Sequence, residues 1–304
     1  MNPRSDRGQA TILMLVFLVV LLGMAALTLD IGSWYRADRA TQSAADAAAL
    51  AGAQSLPSDP GNANTLALQY LTKNGGGTPT VNVQSGVATN DTIKVNVSRP
   101  AQGFFTKLFG VNSVTVGSHA SARASLMDDA KYVAPIGVNI LNPKLKGTPT
   151  CPCMGPTQPT TLPLGKTGAP GSFDLINIDN SHGGTGQSII ADWILRGYQG
   201  YLGLGQYFSD AGAKWNASEV DAALTSRIGT VLLFPVYDKL IGTGSNAQYH
   251  VIAWVGFHLT SFSASGSSGS ITGWFTSVTW DGIPSTRSDG GQPDLGARTV
   301  YLVD

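Results

Sequence analysis

Charge is scarce in this chain. Only 12% of its 304 residues are Asp, Glu, Lys or Arg, and 19 basic residues balance 19 acidic ones for a formal net charge of zero. With no basic excess there is no electrostatic footprint for nucleic acid, which is not expected as a partner. Cysteine is nearly absent too, the two present standing together as Cys151-Pro152-Cys153. Redox catalysis usually uses Cys-x-x-Cys, and a metal site needs about four ligands. The four histidines, His119, His182, His250 and His258, keep no ligand spacing to one another or to the cysteines. The pair Cys151 and Cys153 is therefore read as structural or incidental. It is either two thiols in a Pro-rich loop or a tight disulfide in an oxidising compartment. No metal, cofactor or catalytic residue is expected.

What the chain does have is a long apolar run. From Ala10 to Leu29 there is no charged residue and no proline. Twenty helical residues span roughly 30 Å, about the hydrocarbon thickness of a bilayer. Lipid offers no partners to backbone polar groups, so such a run crosses as a helix. Good helix formers continue past Asp30, so one rod from Ala10 to Ser55 would be about 70 Å long. The breaker Pro57-Ser58-Asp59-Pro60-Gly61 ends it. A cleaved secretory signal is the alternative, with Met24-Ala25-Ala26 near a small-residue site, but its apolar core is usually about 7–15 residues. A buried core helix fits poorly between Arg4 and Arg7 on one side and Asp30 on the other. Positive charge precedes the run, and Asp30, Arg36, Asp38 and Arg39 nearly cancel after it. The expected topology is a single-pass protein of the cytoplasmic membrane, N-terminus inside and bulk extracytoplasmic.

Beyond the run, Ala44, Ala48 and Gly52 recur at four-residue intervals, a spacing that lets another helix approach closely. They are the candidate helix-packing residues, either against the protein's own domain or between copies in a homo-oligomer. Ile31 and Tyr35 form an i,i+4 pair, and Trp34 and Tyr35 sit where aromatic rings favour the membrane interface.

The pattern Arg7-Gly8-Gln9, an apolar span, Asp30-Ile31-Gly32, Tyr35, Arg39 and then Gln42 to Ala53 (QSAADAAALAGA) resembles the N-terminus of TadE/TadG-like proteins, which are associated with assembly of Flp (tight-adherence) pili. The close likeness covers residues 7–55, with a looser one reaching the 120s. It implies pilus-assembly or pilin-like partners. Pilin-like precursors are cut after a Gly that follows basic residues, which makes Gly8 and Gln9 the candidate processing site. The mature chain commonly carries Glu at its fifth position, where this sequence has Leu13, so the resemblance lies nearer to retained anchors than to polymerised subunits. Some relatives carry a von Willebrand-type metal site. Asp179-Asn180-Ser181-His182-Gly183 comes nearest, with Gly183 where the last Ser is needed.

The remaining elements follow from local pattern. A second helix over 63–74 is capped by Asn62 and stopped by Gly75-Gly76-Gly77. Strands at 80–84 and 92–98 form a hairpin, and a short helix at 102–109 offers Phe104, Phe105 and Phe109 to cover the sheet. A strand at 114–124 closes a small α+β domain. Residues 132–141 read as a strand, and 142–171, with seven prolines, as a long extended loop. A strand at 173–179 leads through glycines to a helix at 188–196. The run 197–205 reads as turns, and Ser218-Glu219-Val220-Asp221 resembles a capping box opening a helix to Ile228. Strands at 230–237, 250–261, 270–280 and 298–303 complete the chain. The Gly-rich turn before Ser188 lacks the Lys of a phosphate loop. Asp179, His182, Ser188 and Asp192 lie close in sequence, but no Gly-x-Ser-x-Gly elbow accompanies them. His250 and His258 sit in alternating strands, where structural roles prevail.

The expected fold class is thus a membrane-anchored α+β protein with a long N-terminal transmembrane helix. Residues 1–56 are tail, membrane helix and stalk; 57–130 a small α+β domain, pilin-like on the resemblance; 131–172 a Pro-rich linker; and 173–304 a β-rich domain, sandwich or partial barrel. The expected role is non-enzymatic, in Flp/Tad-type pilus assembly or surface attachment through protein–protein contact. The alternative is a membrane-anchored hydrolase or glycan-binding protein using residues 173–304.

Overall fold

The computed structural model describes residues 6–146, 151–165, 169, 171–181, 184–210, 212–243, 246–264, 269–286 and 291–303. It divides into two compact units, one of residues 1–123 and 301–304, the other of residues 124–300.

The first unit is built on α1 (Asp6–Ala53), one uninterrupted helix of 48 residues and about 72 Å. Helix α2 (Pro60–Lys73) follows the breaker. The sequence placed its cap at Asn62; the cap is Asp59, whose carboxylate accepts from Asn62 N, with Pro60 in the first turn where its missing N–H costs nothing. Gly75 and Gly76 take positive φ after it, and Gly76 N donates back to Leu71 O. Strands β1 (Thr78–Gln84), β2 (Thr92–Gln102) and β3 (Ser113–Ser125) make an antiparallel sheet. Strand β2 buries alternate residues Ile93, Val95 and Val97. Ile93 and Val95 stand opposite Ala122 and Ala120 of β3, so large side chains of one strand meet small ones of the next.

Between β2 and β3 the chain makes a single 3-10 turn, Thr106–Phe109. The aromatic residues there were expected to cover the sheet. Instead Phe104 and Phe109 are 65% and 84% exposed.

In the second unit, β4 (Met127–Ala130) comes before the strand expected at 132–141, of which only the middle forms, as β5 (Ile136–Asn139). The break between the two falls at Tyr132, whose φ is +56°, and at Pro135. The stretch 142–171 is not one extended loop. It holds a helical turn α3 (Pro143–Lys146), the Cys151–Cys153 disulfide and β6 (Thr160–Pro163). Then come β7 (Phe173–Asn177), α4 (Gln187–Arg196), β8 (Leu202–Gly203) and β9 (Gly205–Ser209). Strand β8 lies where turns alone were expected, over 197–205, and β9 follows it. Helix α5 (Ser218–Arg227) starts from Ala217, with no side-chain cap. The capping box does not form because Ser218 is already helical and its hydroxyl turns to Glu219. Strands β10 (Val231–Ile241), β11 (Gln248–Ser263), β12 (Ser270–Thr276), β13 (Val278–Thr279), β14 (Gly282–Pro284) and β15 (Ala297–Leu302) finish the chain.

Five of these strands close on themselves in the order β10-β5-β7-β9-β11, with β11 pairing again to β10. The sequence left a sandwich or a partial barrel open; the outcome is a small closed barrel. Strand β11 makes this possible by its length. Gln248–Val251 pair with β9 on one side, and from Gly256 onward β12 takes over, extending the sheet to β6. Closure removes the sheet edges that would otherwise template aggregation. Gly137 of β5 leaves room for the Ile176 side chain, whose Cδ1 would lie 2.2 Å from an added Cβ. Ile190 and Ile194 of α4 and Val220 and Leu224 of α5 belong to the same buried apolar cluster as Phe173, Phe234 and Phe257 of the wall.

One acidic residue organises the β1–β2 turn. Asp91 is 1% exposed and accepts from the N–H groups of Gly86, Val87 and Ala88 and from the Thr92 hydroxyl, with Arg123 3.7 Å away. Burial pushes its carboxyl up, but the Ala88 N–H, Thr92 hydroxyl and Gly86 and Val87 N–H bonds outweigh that and hold it below the ordinary value. A lowered folded value means the stabilisation is complete above about pH 4 and is lost as pH falls through the folded value. Asp91→Asn is expected to cost about 1–3 kcal/mol at pH 7, measured by denaturant unfolding. The gap from wild type should close in acid; a gap independent of pH would contradict the assignment.

Candidate functional site

Asp30 is the first charged residue after the apolar run and is fully buried. A buried carboxylate is costly unless its oxygens are met, and here the β2–β3 loop meets them. Phe104 N donates to Oδ1 at 2.7 Å, Phe105 N to both oxygens at 3.2 and 3.0 Å, and Thr106 N to Oδ2 at 2.7 Å. Three successive N–H groups converging on one anion form a backbone nest. Aspartate suits the position because its short side chain holds the acceptors within one turn of the helix.

From this clasp α1 runs antiparallel to β2, as its later contacts show. Ser33 Oγ reaches Gln102 O at 3.5 Å, Arg99 donates to Ala37 O at 3.0 Å, and Gly52 lies against Ile93. The lengths agree: residues 30–52 of a helix span about 33 Å, and residues 93–104 of an extended chain about 37 Å. Gln42 adds a bond to His119 O of β3 at 2.9 Å. The small residues then allow close approach. Ala44, Ala45, Ala48 and Ala49 are buried, and a Cβ on Gly52 would lie 2.6 Å from Ile93 Cδ1 and 2.8 Å from Ala63 O of α2. Ala44, Ala48 and Gly52 therefore face the protein's own fold.

The opposite side of the stalk is open. Ile31, Tyr35, Arg39 and Ser43, four residues apart, are exposed, and Arg39 Nε donates to Tyr35 Oη at 3.0 Å. Before Asp30 every Ile, Leu, Val, Met and Phe from Ile12 to Leu29 is 47–74% exposed. At about 1 kcal/mol for each half-open side chain, this run withholds on the order of 15 kcal/mol of apolar transfer energy. That rivals the roughly 5–15 kcal/mol by which whole domains are stable. The helix is long and apolar enough to cross a membrane.

The other residues singled out in the sequence are dispersed. Gly8 and Gln9 lie in the first turn of α1, their side chains outside the described residues, as are His182 and Gly183. Asp179 accepts from Ser181 N in a local turn, Asp192 pairs with Arg196 at 3.2 Å, and Ser188 lies exposed on α4. His250 Nδ1 is 2.7 Å from Asp238 Oδ1, and His258 stacks on Trp274. Cys151 and Cys153 are bonded to each other. Among the described residues no group of three or more His, Cys, Asp or Glu is placed to hold a metal. A buried trio that sequence reasoning missed lies in the barrel, where Tyr237 Oη donates to Asp174 Oδ2 at 2.8 Å and the Tyr249 ring packs tilted against Tyr237, centroids 4.6 Å apart. Burial first, and then the charge of Asp174, push both phenols well up, so they stay protonated donors.

The clasp was also missed, although its signal was present. An acidic residue directly at the end of an apolar helix requires donors from elsewhere in the chain. Asp30→Ala should raise amide hydrogen exchange at Phe104, Phe105 and Thr106 on the order of tenfold or more, while Asp30→Asn, keeping one acceptor, should raise it less. Unchanged protection in the alanine variant would show that the carboxylate does not hold the loop.

No curated protein and no solved structure matches the chain. Residues 8–55, which hold the open apolar run, the Asp30 clasp and the packed stalk, match the model of a family described as putative Flp pilus-assembly TadE/G-like.

Proposed function

We propose that this chain is a single-pass protein of the cytoplasmic membrane, with its N-terminus inside and both folded units outside, that takes part in Tad-type pilus assembly through protein–protein contact and not through catalysis. The observation that carries the reading is the change of environment along one unbroken helix. Before Asp30 no large apolar side chain is covered, and after it one face is closed by α2 and β2. A helix of that kind needs an apolar solvent for its first half. The family match over residues 8–55 supports pilin-type helices as the partners.

Lateral packing on such helices falls to the outward stripe of Ile31, Tyr35 and Arg39, because Ala44, Ala48 and Gly52 are already closed in by the protein's own fold. Tyr35 and Arg39 stand preordered against each other, with the guanidinium 5.3 Å from the ring centroid, which lowers the entropy cost of docking them. The role of the second unit in this reading is to present a surface.

Fractionation with intact-mass measurement in a bacterial host tests the proposal. The expected result is a chain in the membrane fraction that resists carbonate and yields to detergent, with a mass beginning at Met1 or at Gln9. A soluble product beginning after Ala26 would overturn it in favour of a cleaved secretory signal.

A further inference from the structure

Outside α1, the most exposed large apolar side chains of the first unit gather in one loop. Leu108 and Phe109 are 81% and 84% exposed, Phe104 65%, Val111 43% and Phe105 39%. This loop is firmly built. Gly103 N bonds Asn112 O at its neck, Leu108 N bonds Phe105 O, Gly110 N bonds Lys107 O and Val111 N bonds Thr106 O. Asp30 holds the amides of 104–106 from below. Gly110, at φ +85°, turns the tip. The exposed side chains are thus displayed by a rigid scaffold.

We propose that this loop is a second membrane contact, an apolar wedge that seats Leu108 and Phe109 in the headgroup region beside α1. The inference rests on the membrane-anchored reading and adds to it a surface the sequence assigned to the core. Its position follows from the order of contacts along the stalk. Gly52 meets Ile93, Ala37 meets Arg99, Ser33 meets Gln102, and Asp30 meets residues 104–106. Continuing that order carries the tip toward the apolar run. Ala26, one turn before Asp30 on the same face, is partly covered while the residues around it are open. The chemistry fits lipid: Phe and Leu bury in the acyl boundary while the exposed Lys107 attracts anionic headgroups. Two attachment points would fix the tilt of the stalk, where a lone helix leaves it free to swivel.

The test uses the full chain in phosphatidylcholine–phosphatidylglycerol vesicles, with variants that each add one cysteine, Cys151 and Cys153 staying in their disulfide, to carry an environment-sensitive nitrobenzoxadiazole dye. Leu108→Cys and Phe109→Cys report on the wedge, Val20→Cys on the helix, and Val87→Cys on the turn at the far end of the sheet. All four positions are exposed in the fold, so the substitutions should leave it intact. The expected result is blue-shifted emission at 20, 108 and 109, with 108 and 109 quenched by lipids bearing a shallow nitroxide, 20 by lipids bearing a deep one, and 87 as wet as free dye. Quenching at 20 with wet emission at 108 and 109 would overturn the wedge and leave the anchor standing. Wet emission at all four sites would overturn both. A blue shift at 108 and 109 that grows with protein concentration and resists nitroxide lipid would assign the patch to a protein partner and overturn the lipid contact.

Discussion

A single carboxylate sets the organisation of the first unit. Asp30 stands where α1 changes from a rod whose large apolar side chains are all open to a rod that is part of a fold. Its burial is tolerable only because three backbone N–H groups of the β2–β3 loop converge on it. That requirement fixes the loop at the end of the apolar run, and the loop in turn fixes the register in which β2 lies along the stalk. The alanines beyond it then bring helix and sheet close enough for Ile93 and Val95 to be fully buried. Stalk, sheet and α2 make one body because the helix supplies a polar clasp at one end and a glycine-tight contact at the other.

Asp91 repeats the device at the opposite end of the sheet, again with one aspartate and three successive amides. Both turns of the first unit's sheet are therefore held by anion nests. In a chain with so little charge, acidic side chains placed this way act on the backbone more than on other charges. The second unit relies on different physics: closure of a small barrel, filled from both sides of its wall by aromatic and branched side chains.

Much of this was legible locally. The apolar run, the breaker after Ala53, the first hairpin and the long C-terminal strands carry clear periodicity, and most differ from expectation by only a few residues at the ends, though the strand expected at 270–280 breaks into β12 and β13 in two different sheets. The misses share a cause: each depended on a partner far away in sequence. Strands β6, β8 and β9 lie among prolines and glycines with no alternation to betray them, and they exist because β12, β4 and β11 offer edges. Barrel closure rests on β10 pairing with both β5 and β11. The opposite error was made at Phe104 and Phe109, where size and apolarity were read as burial; beside an apolar helix that rule loses its force. The small-residue stripe was read for its capacity to pack, but its neighbours, α2 and β2, became visible only in three dimensions.

The central claim is that one helix serves two solvents, divided at Asp30. A cysteine-accessibility scan of residues 12–49 in the membranes of a bacterial host that lacks pilin-type partners, read by reaction with a membrane-impermeant maleimide, tests it most directly. The account predicts no reaction from 12 to 29. Beyond Asp30, reactivity should return with helical period, at Ile31, Tyr35, Arg39 and Ser43 but not at Thr41, Ala45 or Ala48. Reaction throughout 12–29, or equal reaction on both faces after Asp30, would contradict it.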